Sequence, residues 1–356
     1  MIKILSLVEK LGILCLPSAP INLDHERFAE YRDSEEHPAD DPFENPPSHI
    51  ARRRLADLPS DIPTILRYFL DGSRRTYKIG DVVVDARHYY PVIAGQVGVA
   101  VVVRGDDDRL SPVRQFCHIK NVLAFPDKVS RDDLANVQAT VNEKSPVPFE
   151  LLQYTVRAQR DPVDLGVARI MSEMHDLEIK IVQEMASCRL LSTERILVID
   201  GPLRFKKKFD LVQFKNVIGL SKTFRPSFTL GKGRRQESVG AITSKLDFGE
   251  RTIVFRTSEE EKTIGMWYLR IRQPELMSMP LEGVVKLECY AVDPSEKETG
   301  LDADRIDNIS RFILQERNVT PYQSDGRWAS HIYPIYMAET YLKTSFRSDT
   351  HFKALF

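Results

Sequence analysis

Residues 195–201 read RILVIDG, a short apolar run that ends on an Asp-Gly pair. An unbroken run of branched apolar residues is typical of a central strand that is buried on both faces of a sheet. The same ending occurs earlier, where residues 64–73 read TILRYFLDGS and place Asp71-Gly72 after an apolar and aromatic run. Each stretch therefore predicts a strand with a carboxylate at its end.

The segments around these two strands predict an α/β protein. Three antiparallel strands come first, at Thr64–Leu70, Tyr77–Val84 and Val92–Val103, with Gly80 as a turn or bulge position. A helix follows over Val163–Ala186, where apolar residues recur at helical spacing, and RILVI comes next. This is the order of an RNase H-like core, so we predict a mixed sheet flanked by helices. Later strands are predicted at Val217–Leu220, Thr252–Phe255, Met266–Ile271 and Val284–Ala291, and closing helices at Asp304–Gln315 and Tyr333–Lys343.

Residues 1–60 are predicted to form an N-terminal arm, and residues 61–356 the main domain. The arm begins with an amphipathic helix over Ile2–Leu14, which docks either on a partner protein or on its own core. Residues Asp33–Glu44 contain six acidic residues and no Lys or Arg, which predicts a solvated, proline-rich linker. A second short helix is predicted over Ala51–Leu58.

Composition excludes several classes of protein. The chain is 42% hydrophobic and 28% charged over 356 residues, which is typical of a globular protein with a sizeable core. Four cysteines stand far apart without a C-x-x-C pair, which argues against a zinc knuckle or a disulfide framework and favours a reducing cytoplasm. Because no apolar stretch is long enough to span a bilayer, membrane insertion is not expected.

A basic segment follows the second Asp-Gly pair. It holds ten basic residues and one acid, Asp210, so its local charge is +9: Arg204, Lys206, Lys207, Lys208, Lys215, Lys222, Arg225, Lys232, Arg234 and Arg235. A short basic cluster is usually a solvated surface, but this one extends over some thirty residues and includes aromatic residues such as Phe205 and Phe209. We therefore predict that it binds a phosphate backbone.

The two Asp-Gly pairs predict a site for a divalent cation. Neighbouring parallel strands lie about 5 Å apart, so carboxylates at matching strand ends converge. Such a pair favours a bound Mg²⁺ or Mn²⁺ with oxygen ligands, and a two-metal arrangement can cleave phosphodiesters. The alternative is that each Asp-Gly is only a turn after a strand.

The predicted helix between these strands supplies a third carboxylate. Glu178 stands inside the apolar stripe of the helix, where an uncompensated charge is costly. Glu173 stands at the edge of that stripe, four residues after Arg169, so an ordinary ion pair also explains it. Geometry favours Glu178, and both residues stay candidates.

Read from end to end, these segments resemble the NurA nuclease family. The resemblance rests on YFLDGS, the pair Arg169 and Glu173 on a helix, ILVIDGPL, VIGLSK, VVKLE and YPIYMAE, and it covers about residues 68–341. It implies an RNase H-like fold and Mn²⁺- or Mg²⁺-dependent cleavage of DNA. It also implies a homodimer that works with a HerA-type hexameric ATPase, a DNA translocase.

The resemblance also assigns individual residues. It makes Asp71 and Asp200 metal ligands, with Glu173 or Glu178 as the helical ligand, and puts Lys222 beside the metal or the DNA. Lys222 suits a phosphate contact or charge stabilisation, and it is equally explained as a surface lysine. Glu288 matches a family glutamate on a strand, although a half-exposed strand can carry a glutamate for solubility alone.

The chain departs from the family near its C-terminus. Family members carry a histidine on the final helix, soon after the YP turn. Here Tyr341 stands near that place, and His331 precedes the turn. This departure motivates a second hypothesis, a non-catalytic subunit that binds DNA or docks on the translocase. A third, an actin-like kinase, requires two RNase H-like halves with phosphate loops, and only one half is present.

Overall fold

The computed structural model describes residues 3–24, 42–47, 52–58, 62–230, 236–259, 261–319 and 326–356. The helices in these ranges are α1 (Ile4–Lys10), α2 (Arg131–Lys144), α3 (Pro162–Ser187), α4 (Val239–Thr243), α5 (Pro294–Thr299), α6 (Ala303–Gln315), α7 (Tyr333–Ser345) and α8 (Asp349–Lys353). The strands are β1 (Cys15–Asn22), β2 (Glu44–Asn45), β3 (Arg52–Arg54), β4 (Leu66–Val83), β5 (Tyr89–Arg104), β6 (Leu110–Pro112), β7 (His118–Pro126), β8 (Glu150–Tyr154), β9 (Ile196–Asp200), β10 (Val217–Ser221), β11 (Thr229–Leu230), β12 (Glu237–Ser238), β13 (Glu250–Thr252), β14 (Phe255–Glu259), β15 (Lys262–Arg270), β16 (Val284–Tyr290) and β17 (Leu301–Asp302).

Thirteen of these strands form one mixed sheet flanked by helices. Its main path runs β3-β13-β15-β16-β10-β9-β4-β5-β7-β8, and β1, β6 and β14 pair with β4, β5 and β15. The pairs β4/β9, β9/β10 and β7/β8 are parallel. Strand β9, the RILVID run, therefore lies between two parallel neighbours. The prediction of a buried central strand parallel to the first one is confirmed.

The antiparallel part of the sheet differs from the prediction. Two predicted strands are one long strand, β4, and Asp71-Gly72 lies inside it, where Asp71 pairs with Ala100 of β5. Continuous pairing with β5 overrides the turn preference of the Asp-Gly sequence. The third antiparallel strand is β7, which the sequence reasoning missed. The predicted irregularity at Gly80 is present as a register shift after Lys78.

The helices cover both faces of the sheet. On one face, α3 buries Ile170, Met174 and Ile181 against β4 and β5. Asp161 caps this helix by accepting from the Val163 N–H, and Pro162 occupies its first turn, so the helix begins where the sequence predicts. On the other face, α6 and α7 pack over the strands around β9. None of the helices described is long and apolar enough to cross a membrane.

The N-terminal helix packs on its own chain. Helix α1 is shorter than the predicted Ile2–Leu14, and it buries Ile4, Leu5, Leu7 and Val8. Three of these side chains, those of Ile4, Leu5 and Val8, join a cluster that includes Tyr77 of β4 and residues of α2 and α8. The apolar face of α1 thus packs on the core of its own chain. This is the second of the two interpretations given for the helix, the first being docking on a partner protein.

Two local predictions in the first sixty residues are wrong. Instead of a helix over Ala51–Leu58, Arg52–Arg54 form the edge strand β3, where Arg53 pairs with Asp307 at 3.0 Å. Residues 33–41 of the acidic stretch lie outside the described residues. Its last acid, Glu44, is buried rather than solvated and forms an ion pair with Arg251 at 2.9 Å.

One later prediction is wrong, and one unit was not predicted. The strand predicted over Thr252–Phe255 is a junction between β13 and β14. Helix α2 and strand β8 form an additional unit between the antiparallel strands and α3, and β8 extends the sheet parallel to β7. The closing helices α6 and α7 are confirmed within a residue or two of the predicted bounds.

Candidate active site

Asp71 and Asp200 lie side by side on the central parallel strands. The register of β4 and β9 aligns Leu70 with Ile199, so the next residue of each strand carries a carboxylate, and the two side chains share a hydrogen bond. Gly201 then adopts a φ of 107°, which turns the chain away from the sheet in a conformation that favours glycine. The predicted convergence of these carboxylates is therefore present, and one of the two Asp-Gly pairs is a turn.

The two carboxyl groups have different electrostatic surroundings. Asp71 is 3% exposed, and burial, followed by the negative charges of Asp200 and Glu339, raises its pKa well above the ordinary value. Burial acts in the same direction on Asp200. There, however, the Lys222 ammonium at 2.8 Å and the nearby His331 hold the pKa below its ordinary value. The pair thus favours one shared proton, with the negative charge on Asp200.

A chain of charged groups extends from Asp200 to helix α7. Lys222 Nζ lies 2.9 Å from His331 Nε2, and the same ring nitrogen lies 3.1 Å from Glu339 Oε2. Burial opposes ionisation of Glu339. The His331 hydrogen bond and the Lys222 and Lys343 charges nevertheless hold its pKa below the ordinary value. Lys222 is therefore anchored between Asp200 and a His331–Glu339 pair, and is not merely a surface lysine.

Glu339 is the site residue that the sequence reasoning missed. It belongs to YPIYMAE, and its spacing from Lys343 indicates an ordinary ion pair on a helix, which it also forms. Nevertheless, Glu339 stands between Ile335 and Leu342, which are both buried. A carboxylate inside an apolar stripe was the signal used for Glu178, and it could have identified Glu339 too.

The structure places the two C-terminal candidates, His331 and Tyr341, differently. His331 lies just before α7 and reaches Lys222, so it belongs to the site. Tyr341 is two residues beyond Glu339, about 200° around the helix, and its side chain packs against a cluster formed by Ala100, Leu342 and Phe346. Helical geometry thus turns Tyr341 away from the face of α7 that carries Glu339.

The two glutamates on α3, Glu173 and Glu178, also have different surroundings. Glu178 is 3% exposed and lies against the backbone of Gly72, where an added Cβ would stand 2.0 Å from its Oε1. It lines the same cleft as Asp200. Glu173 forms ion pairs with Lys120 at 2.8 Å and Arg169 at 3.4 Å. The structure thus brings Glu178 to Gly72 and to the cleft that Asp200 also lines, whereas two cations account for Glu173.

We expect Gly72→Ala to reduce activity much more than stability. The new methyl group must displace the end of the Glu178 side chain, which is flexible, so the free energy of unfolding should fall by about 1 kcal/mol or less. Any activity that depends on the position of that carboxylate should fall by about tenfold or more. Thermal unfolding and initial rates measure the two effects. A variant that keeps full activity would contradict this placement of Glu178.

A basic cleft of about 200 Å³ opens beside the carboxylates. It lies between α3 and the segment that follows β9, and Arg204, Lys206 and Lys207 line it. Glu288, fully buried on β16, accepts from the Leu203 N–H at 2.8 Å and pairs with Arg204. Glu288 is therefore a positioning residue for the wall of the cleft, and the structure does not bring it to the Asp71–Asp200 pair.

Lys262 also holds the backbone of this wall of the cleft. Its buried ammonium donates to the carbonyl oxygens of Phe205 and Lys207 and lies 4.7 Å from the centre of the Phe209 ring. Glu288 and Lys262 both hold this segment, from which the exposed side chains of Lys206 and Lys207 project, and Lys207 pairs with Asp176 of α3 at 3.5 Å. The Arg204 side chain is only 7% exposed and lies against Glu288. Nothing in the sequence distinguished Lys262 from a surface lysine.

The remainder of the basic segment is dispersed. Lys208 and Arg225 are exposed, and Lys215 pairs with Asp293 at 2.7 Å. Lys232, Arg234 and Arg235 lie outside the described residues. The aromatic residues that supported nucleic-acid binding mostly belong to the core: Phe209, Phe214 and Tyr290 pack on one another, and Phe224 packs on Tyr268.

The carboxylates are suited to a divalent cation. Within the described ranges, no three His, Cys, Asp or Glu side chains form a ready-made metal cage. Mg²⁺, however, is usually held by one or two carboxylates together with water and substrate phosphates. The buried Oδ2 of Asp71 has no hydrogen-bond partner among the described residues, and Asp200 and Glu178 face the adjoining cleft. Asp71 and Asp200 are the side chains that would hold the ion, and Glu178 lies at the neighbouring cleft.

The raised pKa of Asp71 predicts a dependence of stability on pH. Below the ordinary pKa of Asp, the carboxyl group is protonated in both the folded and the unfolded chain and has no effect. As pH rises towards the raised pKa that Asp71 has in the folded chain, its carboxyl group ionises first in the unfolded chain. The free energy of unfolding therefore falls. Asp71→Asn should therefore stabilise the protein in chelator at neutral pH, by about 0.5–2 kcal/mol. Chemical denaturation at several pH values checks this, and a loss of stability at neutral pH would contradict it.

The chain was also compared with known proteins. It matches no protein-family model, and no curated protein is similar enough to it to count as a match.

Proposed function

We propose that this protein is a metal-dependent DNA nuclease of the RNase H-like type, similar to the NurA family. The observation that carries the proposal is the Asp71–Asp200 pair on adjacent parallel strands, next to a cleft that Asp200, Glu178 and basic side chains line. The order of three antiparallel strands, a helix and a parallel strand supports the RNase H-like assignment. A HerA-type hexameric ATPase and a second copy of the chain are the proposed partners, and DNA end processing or defence against foreign DNA is the proposed setting.

In this proposal each group has a separate task. Arg204, Lys206 and Lys207 bind the phosphates of the strand, which brings the bond to be cleaved to the carboxylates. Asp71, Asp200 and Glu178 hold Mn²⁺ or Mg²⁺, which when bound promotes attack by water and stabilises the leaving oxygen.

Lys222 acts next to the metal ligands in this scheme. It keeps Asp200 ionised, and its ammonium can stabilise negative charge on the phosphate. His331 and Glu339 position Lys222. Because these groups are held by the chain's own contacts, little reorganisation is needed when the strand binds.

The test is a cleavage assay with purified protein and linear DNA. We expect cleavage with Mn²⁺ or Mg²⁺, none in chelator, and a rate at subsaturating DNA that falls steeply as salt rises, because phosphate contacts release counterions. Replacing Arg204, Lys206 and Lys207 together by Gln should weaken binding and flatten the salt dependence. The same substitution at the exposed Lys180 and Lys144 is the control.

One observation favours a second function, a non-catalytic subunit that binds DNA or docks on the translocase. The Lys222 ammonium already compensates the charge of Asp200 at 2.8 Å. A site whose negative charge is neutralised by a lysine in this way can be stable without a metal. Binding of DNA without cleavage, with either metal and with the translocase present, would support this second function over the nuclease.

A further inference from the structure

A second cavity lies beside the last turns of helix α6. Its volume is about 690 Å³, and cavities that bind small molecules usually enclose about 300–1,000 Å³. The end of β3 and the residues after it form one wall, the turn before β13 forms another, and α6 forms the third. We call it the α6 cavity.

The α6 cavity is separate from the candidate active site. Gly249, which lines it, directly precedes β13, whereas Asp200 ends β9. In the sheet, β13 and β9 are four strand spacings apart, which is about 19 Å. Of the described residues, none lines both the α6 cavity and the cleft beside Asp200. A ligand of the α6 cavity would therefore bind apart from the carboxylates.

Two arginines in the α6 cavity have no side-chain partner among the described residues. Arg54 forms no ion pair there, whereas Arg53 on the same strand pairs with Asp307 at 3.0 Å. The Nε of Arg311 is buried, and the described part of the chain offers it no hydrogen-bond acceptor. Because buried donors in folded proteins are almost always paired, Arg311 favours an acceptor that enters from the cavity. Two guanidinium groups at one cavity are suited to the oxygens of a phosphate.

The α6 cavity also has surface for an aromatic ring. Leu55, Leu58 and Leu314 give it an apolar lining, and they belong to the core on the α6 side of the sheet or pack against it. Phe248 is 41% exposed, whereas the other phenylalanines that the structure describes are buried or half-buried. An exposed phenylalanine beside an apolar lining can stack on a planar base.

Two further polar side chains, Asp57 and Gln315, complete the lining. With two arginines and one aspartate the local charge is +1, so a bare phosphate ion is attracted less than it would be by the arginines alone. A carboxylate is a common acceptor for ribose hydroxyl groups, and an amide can both donate and accept at the edge of a base. These groups together suit a ligand that joins phosphate to a sugar and a base.

We propose that the α6 cavity binds a nucleoside phosphate. The phosphate groups accept from Arg54 and Arg311, the base packs against Phe248, and the ribose hydroxyl groups donate to Asp57. The proposal does not rest on metal-dependent cleavage, because the α6 cavity shares no lining residue with the cleft beside the carboxylates. The protein would then carry a nucleotide site that is remote from Asp200.

Isothermal titration calorimetry of the full chain in chelator tests this proposal. The ligands are ADP, inorganic diphosphate and adenosine. We expect ADP to bind at least about tenfold more tightly than either fragment, because only ADP engages the arginines and Phe248 together. Phe248→Ala should remove most of the advantage of ADP over diphosphate. Equal affinities for ADP and diphosphate in the wild-type chain, or no binding of ADP, would overturn the proposal.

Arginine variants locate the binding. Arg54→Met and Arg311→Met should each weaken binding of ADP by about tenfold or more, because each removes charge-assisted hydrogen bonds to phosphate. Arg52→Met is the matched control, since Arg52 lies on the same strand but outside the cavity and pairs with Glu250. This control should bind ADP as the wild-type chain does. Unchanged affinity in both cavity variants would count against the α6 cavity as the site.

A second control separates the α6 cavity from the basic cleft. Lys206→Gln and Lys207→Gln together alter that cleft, and this double variant should bind ADP with unchanged affinity. If it lost ADP binding, the nucleotide would be bound at the cleft and the proposal would be wrong. Since Arg54 is exposed, Arg54→Met should unfold at nearly the wild-type temperature, so its loss of ADP binding is not due to misfolding.

Discussion

Asp71→Asn and Asp200→Asn should each lower the rate of DNA cleavage by about a thousandfold or more. Each change removes a carboxylate from the pair that we propose as the cation site while keeping nearly the same volume. Glu178→Gln should lower the cleavage rate less, by about a hundredfold, because Glu178 approaches the site from α3. Single-turnover cleavage of labelled linear DNA with Mn²⁺ measures these rates.

Glu173→Gln is the matched control for Glu178→Gln. Both residues are buried glutamates on the same helix, but Glu173 is paired with Lys120 and Arg169. We expect this variant to cut DNA at nearly the wild-type rate. If Glu173→Gln were inactive and Glu178→Gln active, the site as we describe it would be wrong.

The largest expected effect on stability lies far from the site. Arg251, fully buried on β13, pairs with Glu44 at 2.9 Å and Asp307 at 2.6 Å. Arg251→Met leaves two buried carboxylates with less compensation. Its free energy of unfolding should therefore be lower by about 3–5 kcal/mol. Urea denaturation measures the change.

Arg52→Met is the control for this prediction. Arg52 lies on the neighbouring strand β3, and its pair with Glu250 at 3.7 Å is partly exposed. A surface pair of this kind contributes about 1 kcal/mol or less. If the two variants were equally stable, the buried cluster would not anchor Glu44 and the β2 segment to the sheet.

The central elements could be predicted because local sequence and tertiary environment agree there. RILVI is apolar on both faces, as a strand between two parallel neighbours must be, and α3 has an apolar stripe and an Asp161-Pro162 start. Two carboxylates were therefore located correctly from strand order alone. The position of Glu178 inside the α3 stripe predicted its burial for the same reason.

Other features depend on contacts that are distant in sequence. Asp71-Gly72 has the sequence of a turn, but pairing with β5 keeps it extended. Glu44 belongs to an acidic stretch, but Arg251, far along the chain, buries it. Lys262 and Glu288 hold the wall of the cleft, although each resembles a residue placed for solubility. No local pattern could show these roles, because the partner of each residue lies on another element.

The central claim is that the Asp71–Asp200 pair binds a divalent cation, and titration of the protein with Mn²⁺ tests it most directly. Electron paramagnetic resonance measures the free ion, so the bound fraction follows without any assumption about activity. We predict that the wild-type chain and Glu173→Gln bind Mn²⁺, and that Asp71→Asn and Asp200→Asn bind it at least about tenfold more weakly. Equal binding by all four proteins, or no binding by the wild-type chain with DNA present, would contradict the account.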